Sequence, residues 1–431
     1  MTLAKINQKF HMITIANYCL IAYAFLLPLS AKMASKVLIP IVLCLFLSNE
    51  FKERLIFIVK NRIFQSFLLM LATYALWILG SEHTDTALFE LQKLFKVFSI
   101  LVIIAMVLKQ EFLFKIMQGF VLAMLLSAIL SYAMFLHISL PAFISQQLTG
   151  ENVPFMMNYT QYATTLNIAI GFLLYQCINN HSIKLMTKIL YAASFIIIFG
   201  NLFLIGSRLG YFLFFASTIT ILLLVYKTHI KKIIFITLIV SLSCYSLIYI
   251  TVPSFQGRVQ HAITDIQKLN NNDLTTALGA RVGLFLYSID FIKKYPIFGL
   301  GTGDHVYAVR QNILEHEENP TNVSGILSNI PDAHGSNLHN QFLDLLLQFG
   351  IIGFIVFLNI FYQIYKSRPQ QTFLRPLPYI LIVNILIACF ANPLFIYGDV
   401  ERIFILLVAL LIVPFEQTTL KEQEQKNIHA I

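Results

Sequence analysis

Residues 233–252 read IIFITLIVSLSCYSLIYITV, twenty consecutive residues without a charge. About 20 apolar residues is the length of an α-helix that crosses about 30 Å of hydrocarbon. Eleven more apolar runs lie along the chain, separated by polar segments, so the pattern predicts an all-α polytopic membrane protein with about 12 transmembrane helices. The twelve predicted spans are residues 13–30, 37–48, 63–80, 94–108, 116–136, 159–177, 189–206, 209–226, 233–252, 341–365, 377–397 and 403–415.

The composition of the whole chain agrees with this fold class. Of its 431 residues, 58% are hydrophobic and only 12% are charged, whereas soluble domains are about half apolar and a quarter charged. A transmembrane β-barrel would show strand-length alternation of polar and apolar residues, which the sequence lacks. The five cysteines all lie inside apolar runs, which argues against a disulfide framework or a zinc cluster.

The distribution of basic residues predicts the orientation. If the N-terminus is inside, the inner segments hold 18 of the 30 Lys and Arg residues and only 6 of the 21 Asp and Glu residues. Basic residues concentrate on the cytoplasmic side of membrane proteins, so both termini are predicted to be cytoplasmic. The net charge of +9 is then explained by topology and by anionic membrane lipids, and it requires no nucleic acid.

A long outer segment divides the chain. Residues 1–252 form predicted helices 1–9, residues 253–340 a large outer loop, residues 341–415 helices 10–12, and residues 416–431 a cytoplasmic tail. Ordered insertions of this length are usually functional. Amphipathic helices are predicted at 259–269 and 276–294. The following Gly299, Gly301 and Gly303 lack the strand and helix that flank a nucleotide-binding loop, so they predict a turn.

Two arginines are candidates for binding an anion. Arg208 lies in the element Gly206-Ser-Arg-Leu-Gly210 between two apolar spans, and Arg281 lies at the edge of the apolar face of the second loop helix. An arginine near membrane depth is costly unless it is paired or lines a wet cavity. The alternatives are that Arg208 snorkels to the head groups and that Arg281 is a solvated surface charge. Two guanidinium groups would suit a diphosphate, whose oxygens they bind in pairs.

The end of the loop, Asp332-Ala-His334-Gly-Ser-Asn-Leu-His339-Asn340, is the richest polar cluster. A histidine at the membrane edge could act as a general base. One alternative is a metal site and another is a helix cap with solvated histidines. The metal site would use Asp304, His305, Asp332, His334 and His339, and the cap would be Ser336 or Asn337. A last outer turn carries Asp399, Glu401 and Arg402, which either support the site or pair with one another.

Several of these features together resemble the O-antigen ligase and polymerase superfamily. They are the twelve spans, the large loop before the tenth, the Ser207-Arg-Leu-Gly210 element, the turn at 296–303, and His339-Asn340 followed by Phe342, Leu345, Gly350 and Gly353. The length and the small tail are similar to the ligase branch. The polymerase and protein O-oligosaccharyltransferase branches are the alternatives, and a lipid or solute transporter is the alternative from a different class.

The resemblance implies a metal-independent, inverting glycosyltransferase of the GT-C type at the periplasmic face of the bacterial inner membrane, with no cofactor. The donor would be an O-antigen glycan on undecaprenyl diphosphate, and the acceptor the lipid A core oligosaccharide. Arg208 and Arg281 would correspond to the diphosphate-binding arginines and His339 to the essential histidine. Asn340, His334 and Asp399 would be supporting residues, with Glu401 as the alternative to Asp399.

Overall fold

The computed structural model describes residues 3–138, 157–179, 184–227, 230–251, 253–332, 334–393 and 398–412, with side chains from residue 12 onward. Within these ranges the regular structure consists of seventeen α-helices and three short 3-10 turns, without strands. The helices are α1 (Leu3–Leu26), α2 (Ala31–Leu47), α3 (Phe51–Val59), α4 (Arg62–Trp77), α5 (Thr84–Val107), α6 (Leu113–Phe135), α7 (Tyr159–Asn179), α8 (Leu185–Leu204), α9 (Arg208–Val225), α10 (Ile230–Thr251), α11 (Pro253–Asn270), α12 (Ala277–Lys294), α13 (His305–His316), α14 (Pro320–Leu327), α15 (Gln341–Lys366), α16 (Leu377–Cys389) and α17 (Gly398–Ala409).

Each predicted span falls on one of these helices, which confirms a polytopic helical membrane protein. Within the described ranges, seven helical segments are long and apolar enough to cross a membrane, or eight if α2 and α3, bent by 106° to each other, count as one broken span. The other helices under predicted spans, such as the 12-residue α17, are too short or too polar for that criterion. Predicted spans 11 and 12 also run into residues 394–397 and 413–415, which lie outside the described residues.

The bundle and the loop have separate cores. In the bundle, α1 packs against α2 and α6, α7 against α8 and α9, and α4 against α15. The loop has a second, smaller apolar core that includes Leu284, Val309, Ile313 and Ile326 and extends onto the start of α15 at Leu343. The large loop is therefore a folded layer that rests on the first turns of α15.

The two predicted loop helices are present, and the structure adds two more. Helix α12 follows the predicted boundaries closely, whereas α11 begins at Pro253, six residues before the predicted start at 259. Helices α13 and α14 were not predicted. They are only 12 and 8 residues long, so most of their stability comes from the packing of their buried faces in the loop core.

The predicted single span 341–365 is broken at Gly350. This residue has φ 59° and ψ −156°, which is not helical. The glycine turn 296–303 fills the break: the N–H of Leu300 donates to Leu347 O (2.7 Å) and the N–H of Ile351 donates to Pro296 O (2.9 Å). Irregular backbone at membrane depth is tolerated where it is buried in protein. The turn is thus confirmed, and it joins the loop to α15 just below the polar cluster.

Candidate functional site

His339 is held in a tight bend directly before α15. Its φ of +55° lies in the left-handed region, and its N–H donates to Asn337 Oδ1 at 3.0 Å. Asn340 is the N-cap of α15, where its Oδ1 accepts from the N–H groups of Phe342 (3.0 Å) and Leu343 (3.2 Å). The cap is therefore Asn340, and the alternative that Ser336 or Asn337 caps this helix is wrong. Asn340 therefore fixes the point at which α15 begins, and His339 lies directly before that point.

The imidazole of His339 is half-buried and has a defined orientation. Nε2 lies 3.1 Å from the carbonyl oxygen of Asn329. Because a carbonyl only accepts, the neutral ring carries its proton on Nε2 and leaves the lone pair on Nδ1. Burial lowers the pKa of His339, and the nearby Arg281 guanidinium lowers it further, against the effects of Asn329 O and Asp344. At neutral pH the ring can thus accept a proton at Nδ1.

Arg281 lies on α12 close enough to His339 for its charge to affect the histidine. The buried face of α12 includes Gly279, Ala280 and Leu284, and Arg281 stands beside it with an exposed side chain. Among the described residues none forms an ion pair with Arg281. Of the two predicted arginines, this is the one that the structure brings to the histidine.

Arg208 is the first residue of α9, whose N-cap is Ser207. Its Nη1 lies 2.9 Å from Oδ2 of Asp265 on α11, and its side chain is 46% exposed. Gly206 has φ +60°, and a side chain there would meet Nε of Arg258, also on α11, at 3.1 Å. The absence of a side chain therefore lets a second guanidinium approach the helix start, where the free N–H groups already favour anions.

Sequence reasoning missed Arg258 and Asp265. Both lie on α11, and only the packing of α11 beside the start of α9 brings them to Arg208. In the part of the chain that the structure describes, no contact links Arg208 with Arg281 or His339. The two arginines are therefore in two separate places in this conformation.

A buried ionic cluster lies beneath His339. Asp344, on the first turn of α15, accepts the N–H of Leu338 at 3.1 Å. Its Oδ1 is also 3.2 Å from Nε2 of His305, and neither side chain has any exposed surface. Burial opposes the charged imidazole, but Asp344 and Glu90 prevail and raise the pKa of His305.

The other predicted metal ligands serve structural roles. Asp304 accepts from the backbone N–H groups of Glu82 (2.9 Å) and His83 (2.8 Å) and lies 2.9 Å from His83 Nδ1. His334 is exposed, and its Nδ1 lies 3.0 Å from Thr86 Oγ1. Within the described ranges no group of three or more His, Cys, Asp or Glu residues is arranged to hold a metal ion. The residues proposed for that site are thus used in different contacts.

The late acidic residues lie on the first turn of α17. Asp399 is partly buried, which raises its pKa against the opposite effect of Arg402. Glu401 is 2% exposed and interacts with Arg402 and Lys93. Neither carboxylate contacts His339 or the two predicted arginines among the described residues.

A polar cavity of about 560 Å³ lies beside the histidine segment. Asp332 lines it, and so do the aromatic rings of Phe291, Tyr295 and Tyr307. Arg310, which also lines the cavity, donates to the carbonyl of Ile330. The carbonyl of the preceding residue, Asn329, is bound by His339. The segment 329–332 therefore connects the cavity and the histidine: Asp332 lines the cavity, and the carbonyl of Asn329 binds His339.

Comparison with known proteins finds a family model that matches part of the chain. Residues 193–358 match the family model described as O-antigen ligase. The match runs from α8 into α15, so it contains Arg208, Arg281 and His339 but not Asp399. This part of the chain is therefore similar to the O-antigen ligase family, in agreement with the resemblance that its motifs predict.

One curated relative is an uncharacterized protein of Haemophilus influenzae. It is 32% identical over 143 residues, which are 32% of this chain and 33% of the relative. The chain thus spans about a third of the length of the relative that it matches.

Proposed function

We propose that this protein transfers O-antigen polysaccharide from undecaprenyl diphosphate to the lipid A core oligosaccharide at the periplasmic face of the inner membrane. The observation that carries the proposal is the half-buried His339, with a free Nδ1 and with the Arg281 guanidinium beside it. A neutral base next to an unpaired cation is what a hydroxyl attack with a departing diphosphate requires. The family match at residues 193–358 supports the reaction class.

The chemistry follows from these two groups. Nδ1 of His339 takes the proton of the acceptor hydroxyl. At the same time the hydroxyl oxygen forms a bond to the anomeric carbon of the donor. The bond from that carbon to the diphosphate oxygen breaks, and the electron pair leaves with undecaprenyl diphosphate. Attack opposite the leaving group inverts the anomeric centre. General-base help contributes about 10²- to 10⁴-fold, and no metal takes part in the scheme.

The arginines would stabilise the leaving group. One preorganised donor at a developing negative charge is worth about 3 to 4 kcal/mol of barrier. Arg281 is close enough to His339 for its charge to lower the pKa of the histidine, which supports this role. Arg208 would have to exchange Asp265 for a phosphate oxygen, and Arg258 beside it would add a further positive charge. We therefore propose that the start of α9 binds the diphosphate only after it moves toward α12, or that it holds the distal phosphate.

The polar cavity beside segment 329–332 is our proposed site for the acceptor sugars. Its aromatic rings and planar polar groups offer both stacking and hydrogen bonds. A Tyr295→Ala variant should raise the KM for the acceptor several-fold and leave kcat nearly unchanged, because Tyr295 lies on the cavity wall away from the proton transfer.

The proposed topology retains twelve spans of the GT-C type, with both termini in the cytoplasm and the four parts of the chain divided at residues 252, 340 and 415. A reporter fused after Lys188 should report cytoplasm, and one after Asn312 should report periplasm. Cytoplasmic signal at Asn312 would put His339 on the cytoplasmic face of the membrane and would refute the proposal.

The decisive experiment is reconstitution. Purified protein is mixed with undecaprenyl-diphosphate-linked glycan and lipid A core in the presence of a chelator, and the products are separated by size. A single transfer of whole glycan to the core is expected. Growth of the lipid-linked glycan would indicate a polymerase, and glycan on a pilin-like protein an oligosaccharyltransferase. If the chelator stops the reaction and a divalent ion restores it, the reaction depends on a metal, as in the alternative metal-site interpretation.

A further inference from the structure

A second cavity lies at the far end of α15, and we refer to it as the basic cavity. Its volume is about 400 Å³, and it lies where the starts of α4 and α6 meet the end of α15. The 26 residues of α15 separate it from His339 by roughly 39 Å at 1.5 Å per residue. The basic cavity is therefore on the opposite face of the protein and independent of the proposed function.

The charged lining of the basic cavity has one sign. Lys60, Arg62, Lys366 and Arg368 line it together with neutral residues, and none of the described lining residues is acidic. None of the four forms an ion pair within the described ranges. Nζ of Lys366 lies 5.5 Å from the centre of the Tyr362 ring. Within the described part of the chain these four cations have no acidic partner, so they repel one another around one concave space, and a bound anion would relieve that repulsion.

The shape and polarity of the lining select the kind of anion. Arg62 and Arg368 offer planar forks that match two phosphate oxygens, and the lysines add point charges. The rest of the wall is largely apolar and includes Leu113, Leu374 and Leu411. A free inorganic anion would not contact these apolar residues, whereas the glycerol end of a phospholipid would cover them.

We propose that the basic cavity binds the phosphate of an anionic phospholipid head group. Basic pockets between transmembrane helices are a known mode of recognition for such head groups. The bound lipid would join α4, α6 and α15 at this face, and α15 is the helix that begins at the candidate base. Phosphate from a soluble source would present the same chemistry to the arginines, so the test must separate the two.

The test uses the full chain, purified in a neutral detergent, and native mass spectrometry with phosphatidylglycerol, with phosphatidylethanolamine and with orthophosphate. In the test variant all four basic residues of the cavity become Gln. A matched control loses the same number of charges from exposed lysines that do not line the cavity: Lys184, Lys227, Lys231 and Lys232. We expect at least about a tenfold loss of phosphatidylglycerol affinity in the test variant and less than about twofold in the control.

Three outcomes would overturn the proposal. Equal losses in both variants would mean that lipid binding follows total charge and not this cavity. Equal affinity for phosphatidylethanolamine would remove the role of the negative charge. If orthophosphate displaces phosphatidylglycerol at similar concentration, the phosphate that the cavity binds comes from a soluble source. If the fourfold variant does not fold, the double variant R62K/R368K retains the charge and loses the forks; unchanged phosphatidylglycerol affinity in that variant would also refute the site.

Discussion

Replacing Asp344 by Asn should destabilise the protein through an unpaired buried charge. Asp344 and His305 are both fully buried and 3.2 Å apart, and removing one partner of a buried ion pair costs about 3 to 5 kcal/mol. Asn keeps an oxygen that can accept from Leu338 N–H, so the backbone contact is retained. Glu90 still balances part of the charge on His305. We therefore expect a loss of about 3 kcal/mol in the free energy of unfolding, at the lower end of that range.

The measurement is the loss of helical circular dichroism in mixed detergent micelles with increasing SDS, alongside glycan transfer. Asp344→Ala should cost about 1 kcal/mol more, because Leu338 N–H then loses its acceptor. The double variant D344N/H305Q should recover much of the loss, since the isolated charge is gone. If Asp344→Asn unfolds like the wild type, or if the double variant shows the sum of two independent losses, the ion pair does not stabilise the site.

The same pair predicts how stability depends on pH. The folded state raises the pKa of His305, above the ordinary value of about 6.5. A raised pKa means that the folded state holds the proton more tightly, so this stabilisation is complete below about pH 6.5 and is lost as the pH rises through the folded pKa. The wild type should thus become less resistant to SDS toward alkaline pH. In D344N that dependence should be much weaker.

Three further outcomes are expected. His339→Ala should reduce glycan transfer by about 10²- to 10⁴-fold with normal folding, and His334→Ala should reduce it far less; equal losses would contradict the assignment of the base. Arg281→Gln should move the acidic limb of the kcat/KM profile to higher pH, because the positive charge that lowers the pKa of His339 is gone. Arg281→Lys keeps that charge and should leave the limb in place. If Arg281→Gln causes no shift, the charge does not act on His339. Gly350→Ala should prevent stable folding, since its Cβ would clash with the backbone carbonyl of Ile297 at a φ of +59°; wild-type resistance to SDS would refute the broken-helix geometry.

Local sequence patterns already contained the class of protein and part of the site. Each apolar run predicts its own helix, because burial in lipid depends mainly on length and hydropathy along one segment. The polar cluster before α15 and the position of Arg281 at the edge of an apolar helix face could also be predicted, because each depends on the residues of a single segment. The family resemblance added predicted roles for Arg208, Arg281 and His339, and all three residues lie within the family match.

Tertiary packing decided the rest. Asp344 is a lone acid in an apolar run and His305 one of eleven histidines, and nothing in either segment predicts that both side chains face the same buried space. Asp265 and Arg258 reach the start of α9 only because α11 packs beside it. The break of α15 at Gly350 depends on the turn at 296–303 that fills it. Such contacts are set by which helix faces meet, and hydropathy records only how apolar each segment is on its own.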